Sequence, residues 1–143
     1  MKASTWEQLE KQFEEFPFMK AESVSEEEMN SIEASLGVRF DSDYKQFVLK
    51  YGGAIVSPFP IYGLRQAEPM DDELWSVSIV TMHYRNEGWP GTQDWYVISS
   101  DHADNPVGIT PEGKVVSYDH DYGEMVDVAE SFETYLIKCL GDS

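Results

Sequence analysis

The chain has 143 residues, of which 41% are hydrophobic, so we expect a single domain over residues 1–143 with one core. It has 27 Asp and Glu against 10 Lys and Arg, which gives a formal net charge of -17. Because this charge repels phosphate backbones and anionic lipid, the composition argues against direct binding to nucleic acid or to a membrane surface.

Three amphipathic helices are predicted in the N-terminal part of the chain. The first covers residues 5–16 and ends at a proline. The second begins after Ser25, which forms a capping-box pattern with a glutamate three residues later, and it ends at Gly37. The third is capped by Asp41 and ends at Gly52. Their apolar stripes are Trp6, Leu9, Phe13 and Phe16, then Met29, Ile32 and Leu36, then Tyr44, Phe47, Val48 and Tyr51.

From residue 54 onward, short apolar runs alternate with Pro and Gly, a pattern typical of strands. Strands or extended segments are predicted at residues 55–56, 59–64, 95–98, 107–109 and 114–118. The last two are expected to form a hairpin, because Pro111 and Gly113 occupy the positions that suit a type I turn leading into a bulge.

Two further helices are predicted in this half. Residues 75–86 fit both a strand and a helix, and we favour a helix with Trp75, Ile79, Val80 and His83 on one face. A last helix begins after Ser131. Helices at both ends of the chain and an antiparallel meander between them indicate an α+β fold, with helices packed on one face of a twisted, mainly antiparallel sheet.

Candidate metal ligands are densest at Asp119, His120 and Asp121. Carboxylates and imidazoles can hold a divalent cation that activates water. Their spacing matches no known ligand motif, and Asp is common in turns for backbone reasons. We therefore predict no metal and no cofactor, and keep a metal-dependent hydrolase as an alternative.

No catalytic motif is evident in the sequence. The single cysteine, Cys139, lies on the apolar face of the last predicted helix, so we expect a buried side chain and not a reactive thiol. We expect a protein that is not an enzyme. One cysteine, no N-terminal apolar run and no apolar stretch of membrane-spanning length together favour the cytoplasm.

Carboxylates concentrate in the predicted turns of the second half, close to Trp75, Trp89, Trp95 and Tyr122. Aromatic anchors ringed by polar groups are typical of protein interfaces, and complementary charge speeds encounter with a cationic partner. Two alternatives stay open: the acidity only keeps the protein soluble, and the tryptophans belong to the core. The predicted contact surface for a basic partner consists of Asp71, Asp72, Glu73, Asp94, Asp101, Asp104, Asp119, Asp121, Tyr122 and Glu124.

Residues 29–53, MNSIEASLGVRFDSDYKQFVLKYGG, resemble the signature motif of the SUKH superfamily. The segment 129–136, AESFETYL, is similar to the end of that family's sequences, so the resemblance covers nearly the whole chain. Two residues depart from the motif: Asp41 stands at the usual proline position, and Tyr51 stands where Asn is common. The departures affect assignment to a subfamily and leave the expected fold unchanged.

The resemblance implies an α+β domain and a role in protein binding. Bacterial members of this family are mostly immunity proteins, which bind and neutralise toxins delivered between competing cells. Those toxins are often nucleases or nucleic-acid deaminases. We therefore expect an immunity protein whose partner is a basic cognate toxin, with a regulatory or scaffold domain, as in fungal relatives that control cell-wall synthesis, as the alternative. The oligomeric state does not follow from the sequence.

Overall fold

A computed structural model describes residues 1–141 of the chain. The α-helices span Ala3–Glu15 (α1), Glu26–Leu36 (α2), Ser42–Tyr51 (α3), Val77–Asn86 (α4) and Phe132–Gly141 (α5), and a short 3-10 helix spans Pro17–Met19. The strands span Ala54–Val56 (β1), Phe59–Ile61 (β2), Tyr96–Ser100 (β3), Pro106–Ile109 (β4), Val115–Asp119 (β5) and Glu124–Ala129 (β6). The predicted α+β class is confirmed.

Local side-chain caps set the ends of the N-terminal helices. The Ser25 hydroxyl accepts a hydrogen bond from the backbone N–H of Glu28 at 3.2 Å, which satisfies one of the free donors at the start of α2. Gly37 ends this helix in the left-handed conformation, with φ of 68°. The Asp41 carboxylate accepts from the first turn of α3, including the N–H of Tyr44 at 3.2 Å. The predicted boundaries of both helices are confirmed.

The strands form two antiparallel sheets. One pairs β1 with β2, and the other has the order β3-β4-β5-β6. The predicted hairpin between β4 and β5 is confirmed: Gly113 donates its N–H to the carbonyl of Thr110 at 2.9 Å and has φ of 86°. In the larger sheet the chain therefore reverses direction after each strand, and consecutive strands lie side by side.

The sequence pattern does not predict strand β6, whose first residue, Glu124, is expected in an exposed turn. Residues 124–127 are all exposed, so both faces of the strand meet solvent over this stretch. Without one buried face there is no alternation of apolar and polar residues to reveal a strand.

The helix predicted over residues 75–86 is present and begins at Val77, but of its predicted apolar face only Val80 is buried. The Ser76 hydroxyl caps it by accepting from the N–H of Ile79 at 3.0 Å. The Ile79 side chain itself is 42% exposed, and the buried residues are Val77, Val80 and Thr81. The apolar stripe of α1 is also shorter than predicted, because Phe16 lies beyond the helix and is exposed.

The core joins the helices to the larger sheet through aromatic residues. Tyr44 and Phe47 of α3 both make edge-to-face contacts with Phe132 of α5, with ring centroids 5.4 and 5.6 Å apart. The buried hydroxyl of Tyr135 donates to Ser99 at 2.9 Å and fixes α5 against β3. Cys139 is buried, as predicted.

The connectivity decides which loops share an end of the sheet. Because β3 to β6 run antiparallel in chain order, the β3–β4 loop (101–105) and the β5–β6 turn (120–123) lie at one end. The β4–β5 turn lies at the other end. None of the helices in residues 1–141 has the length and apolar character needed to cross a membrane.

Candidate functional site

Three loops meet at one end of the larger sheet: the β2–α4 loop, the β3–β4 loop and the β5–β6 turn. The first two are joined by a hydrogen bond of 3.1 Å between the hydroxyls of Tyr62 and Ser100. The β5–β6 turn contacts the β3–β4 loop because the N–H of His120 donates to the Asn105 side chain at 3.1 Å. Loops far apart in sequence therefore form one continuous surface.

Nine of the ten residues predicted for the contact surface lie in these three loops, at the end of β5 or at the start of β6. We call this surface the acidic end, and its members are Asp71, Asp72, Glu73, Asp101, Asp104, Asp119, Asp121, Tyr122 and Glu124. The tenth, Asp94, is not brought together with them. It precedes β3 and lines a separate cavity of about 400 Å³ with Arg39 and the β4–β5 turn, at the opposite end of the sheet.

Asp71 holds its own loop in shape. Its carboxylate accepts hydrogen bonds from the backbone N–H groups of Glu73 at 2.7 Å and Leu74 at 2.9 Å. Both hydrogen bonds stabilise the ionised carboxylate, and the bond from Leu74 has the larger effect. They therefore hold the pKa of Asp71 below its usual value. The folded loop therefore favours the ionised form of Asp71, and part of the role of this residue is structural.

Asp101 and Asp119 organise the other two loops in the same way. The Asp101 carboxylate accepts from the N–H groups of Ala103 and Asn105, each at 2.9 Å. The Asp119 carboxylate accepts from the N–H of Asp121 at 2.9 Å, in the β5–β6 turn. Both carboxylates thus face their own backbone and are only partly available to a partner.

Other carboxylates of the acidic end face solvent. The side chains of Glu73, Asp104 and Glu124 are exposed and make no hydrogen bond or ion pair with residues 1–141. Asp121 is exposed too, with the imidazole of His120 at 3.4 Å as its partner. Glu73, Asp104 and Glu124 are therefore free to meet charges from another molecule, and Asp121 is exposed but already has a partner.

A cleft of about 510 Å³ opens between two of the loops, with Asp71 and Asp104 on its rim and the rings of Tyr62 and Tyr84 in its wall. Burial, more than the neighbouring charges, raises the pKa of Tyr84 to about 12. Burial also raises the pKa of Tyr62, although its hydrogen bond with Ser100 opposes this change. Both phenols therefore remain protonated at physiological pH. The cleft combines carboxylates with aromatic rings, a chemistry suited to ammonium or guanidinium groups.

The aromatic residues near this surface differ in exposure. Tyr122, at the tip of the β5–β6 turn, is 80% exposed, whereas Trp95 is 3% exposed and belongs to the core. Trp75 and Trp89 are half-buried, and Trp89 packs edge-on against Tyr84 with ring centroids 4.9 Å apart. Of the predicted aromatic anchors, Tyr122 alone is fully presented to a partner.

Positive charge is scarce around the acidic end. Arg65 of the β2–α4 loop is bonded to Glu28 of α2 at 2.7 Å, and between Arg65 and Lys138 the sequence has two Lys or Arg residues, Arg85 and Lys114. Arg85 turns toward the backbone of α2, donating to the carbonyl of Leu36 at 2.8 Å. Lys114 follows the β4–β5 turn and pairs with Asp127 at 2.8 Å. The carboxylates of the acidic end are therefore not neutralised by neighbouring Lys or Arg within the part of the chain described.

The candidate metal ligands of the β5–β6 turn are engaged in other contacts. Asp119 accepts from the backbone of its own turn, and the Nδ1 atom of His120 faces the Oδ1 atom of Asn105. Within residues 1–141, no three His, Cys, Asp or Glu side chains come together in a group that could hold a metal ion. The geometry gives no support to the metal-dependent alternative.

Sequence reasoning did not identify the residues that form the wall of the cleft. Tyr62, Tyr84 and Ser100 belong to three different parts of the chain, and no motif or spacing links them. Their proximity follows from the tertiary packing of β3 against α4 and the loop after β2. The carboxylates, in contrast, were found because charge and turn composition are local properties of the sequence.

Comparison with known families gives one match. The family model SUKH_5, described as SMI1-KNR4 cell-wall, matches residues 3–140. No curated protein matches the chain. The matched range covers all five helices and both sheets almost completely.

Proposed function

The chain belongs to the SUKH (SMI1-KNR4) family, as its N-terminal motif predicted, and from this membership we propose that it is an immunity protein. In this proposal it binds a cognate bacterial toxin and neutralises it stoichiometrically. The partner is a basic toxin domain of nuclease or nucleic-acid deaminase type. Binding takes place in the cytoplasm of the cell that is protected.

The acidic end is the observation that carries the proposal. Carboxylates without a Lys or Arg partner lie on the rim of a cleft, at Asp71 and Asp104, and beside the exposed Tyr122, at Asp121. An enzyme that acts on nucleic acid has a cationic substrate cleft. A surface of this charge fits such a cleft, and its attraction speeds the encounter and rejects acidic partners.

In this proposal the protein acts by occupancy and catalyses no reaction. The absence of a catalytic motif in the sequence and the engagement of Asp119 and His120 in turn contacts both favour this view. Tyr122 provides an aromatic anchor, and the surrounding carboxylates pair with basic side chains of the toxin. The toxin is inactive because its substrate can no longer enter.

Co-expression tests the proposal directly. The chain is produced in cells together with the basic toxin domain encoded beside its gene, and survival and co-purification are measured. We expect survival and a 1:1 complex. Loss of viability despite soluble chain, or survival when the chain is present at far below the amount of toxin, would contradict neutralisation by stoichiometric binding.

A matched pair of variants tests the acidic end itself. The first variant carries Asp104→Asn, Asp121→Asn and Glu124→Gln, which remove charges that hold no loop together. The control carries Glu7→Gln, Glu14→Gln and Glu15→Gln on α1, three exposed positions outside this surface. Both lose three negative charges, so we expect at least about tenfold weaker toxin binding for the first variant relative to the control. Equal affinities would rule out this choice of surface.

A second candidate is a regulatory or scaffold domain that docks on host proteins, which the cell-wall description of the family model favours. The two candidates differ in their partner. Affinity capture by an immunity protein recovers a toxin domain, whereas capture by a regulator recovers proteins of the host's cell envelope machinery. Recovery of the latter without any toxin would favour the regulator.

A further inference from the structure

Strand β6 is an edge of the larger sheet and is open along most of its length. It pairs with β5, and no other strand of residues 1–141 pairs with it. Met125 and Val126 are 44% and 40% exposed. At the far end of the strand, Lys138 donates to the carbonyl of Val128 at 2.5 Å, so the open segment consists of residues 124–127.

The hydrogen-bonding pattern of the sheet indicates which backbone groups of β6 face outward. The N–H of Thr110 donates to the carbonyl of Lys114 at 2.9 Å, so the main chain of Lys114 faces β4. Along β5, successive residues form their backbone hydrogen bonds alternately with β4 and with β6. Ser117 is three residues after Lys114, so its main chain faces β6. Ser117 is paired with Val126.

The same alternation applies along β6. Since the main chain of Val126 faces β5, that of Met125 and of Asp127 faces solvent. The irregularity in the β5–β6 register falls between Val115 and Val116, beyond this stretch, and leaves residues 124–127 in regular register. Met125 and Asp127 therefore present their backbone N–H and C=O groups to solvent, at the spacing that a further paired strand requires.

Exposed edges are commonly protected by proline, lysine or a bulge that prevents pairing with another chain. The segment 124–127 has neither proline nor lysine, and the bulge of β6 lies just beyond it, at Val128. It has two carboxylates instead, Glu124 and Asp127, and it continues directly from Asp121 and Tyr122 of the acidic end. An extended segment that pairs here meets the solvent-facing carboxylate of Glu124 at one end and, at the other, the carboxylate of Asp127, which is already bonded to Lys114 at 2.8 Å.

This charge decides between the candidate occupants. A second copy of the chain would bring two molecules of net charge -17 together and place Glu124 and Asp127 of each copy near those of the other. A segment that alternates basic and apolar residues instead places its basic side chains on the face of Glu124 and its apolar side chains on the face of Met125, so it gains an ion pair and an apolar contact. The edge thus favours a basic partner over self-association.

We propose that the basic partner adds an extended segment to the edge of β6, bonding through the main chain to Met125 and Asp127. This inference rests on the proposed function, because it concerns how the same acidic surface takes the toxin. Strand addition provides affinity through the main chain. The exposed carboxylate of Glu124 provides selectivity for basic side chains.

A synthetic peptide tests the edge without any toxin. The probe is acetyl-Lys-Val-Arg-Val-Lys-Val-amide, titrated into the isotope-labelled chain while amide resonances and hydrogen exchange are followed. We expect saturable binding, with amide exchange at Met125 and Asp127 slowed at least about tenfold because these N–H groups become hydrogen-bonded. Absence of binding at millimolar peptide, or binding with unchanged exchange at both residues, would overturn the inference.

Two control peptides separate hydrogen bonding from charge. A version N-methylated at alternate residues loses its donors along one edge and is expected to bind at least about tenfold more weakly. A version with Glu in place of Lys and Arg is expected not to bind. Equal binding by the methylated peptide would refute strand addition, and equal binding by the acidic peptide would refute selectivity for basic partners.

A pair of substitutions tests the edge from the side of the protein. Met125→Pro removes the outward N–H, and the matched control Met125→Ala shortens the same side chain while keeping that N–H. We expect the proline variant to lose peptide binding and the alanine variant to keep it. If the proline variant does not fold, the methylated peptide still decides the question.

The outcome for the proposed function is measured separately, as cell survival with the toxin. Protection by the chain together with failure of the peptide assay would refute strand addition and leave the proposed function standing. Failure of protection would refute both, since the inference concerns the binding of that partner.

Discussion

Gly108 shows how one residue position is fixed by its neighbours in the sheet. It lies in β4 beneath the indole of Trp95, which is almost fully buried. A Cβ atom at this position would lie 1.7 Å from Trp95 Cε3 and 2.6 Å from the carbonyl oxygen of Tyr96. Neither the backbone of β3 nor a buried indole can move away without disturbing the core.

We predict that Gly108→Ala lowers the free energy of unfolding by about 3 kcal/mol, in the upper part of the range for overpacked cores. The measurement is urea denaturation followed by fluorescence. Gly141→Ala is the control, because Gly141 is helical and no atom lies within 4 Å of its added Cβ. That change is expected to be neutral or to stabilise by up to about 1 kcal/mol. Equal denaturation midpoints for the two variants would contradict the packing argument.

At the scale of single elements, the β3–β4 loop separates carboxylates that shape the surface from carboxylates that face a partner. Asp101 accepts three hydrogen bonds within this loop, including one from the Asn105 side chain at 3.3 Å. Asp104 in the same loop accepts none from residues 1–141 and points to the cleft. Two aspartates three residues apart thus have different roles.

We predict that Asp101→Ala lowers the free energy of unfolding by about 1 kcal/mol, because it leaves backbone N–H groups of the loop without their acceptor. Asp104→Asn is the comparison and is expected to change stability by less than about 0.5 kcal/mol. Thermal unfolding followed by circular dichroism measures both. A larger loss of stability in Asp104→Asn than in Asp101→Ala would reverse the assigned roles.

Elements that depend on local chemistry were predictable from the sequence. The caps of α2 and α3 and the β4–β5 hairpin arise from contacts between residues at most a few positions apart, so Ser25, Gly37, Asp41 and Gly113 revealed them. Strand β6 was not predictable in this way. It exists because β5 pairs with it, and its exposed residues 124–127 carry no periodic signal.

The candidate site was likewise predictable only in its local features. Composition and turn chemistry identified its carboxylates, but their grouping depends on which loops share an end of the sheet. That grouping excluded Asp94 and brought Asp71 and Asp104 to the rim of one cleft with Tyr62 and Tyr84. Contacts between parts of the chain this far apart are determined by the packing of the whole fold.

For the whole molecule, the charge acts at a longer range than any single contact. The formal net charge is -17, and the acidic end has no Lys or Arg partner to oppose it locally. A field of this kind attracts a cationic domain before the surfaces touch and orients it toward the most negative end. Its effect therefore appears in the association rate more than in the dissociation rate.

We predict that association with a basic toxin domain slows markedly between about 50 and 500 mM salt, because the screening length falls from roughly 13 to 4 Å. Stopped-flow mixing at several salt concentrations measures the rate.

The association rate of the variant lacking the charges of Asp104, Asp121 and Glu124 is expected to depend less steeply on salt than that of the variant neutralised at the three glutamates of α1. Both have the same net charge, so a difference between their slopes reports where the field acts on the incoming partner. Identical slopes would assign the steering to net charge alone, and a salt-independent rate would remove electrostatic attraction from the encounter.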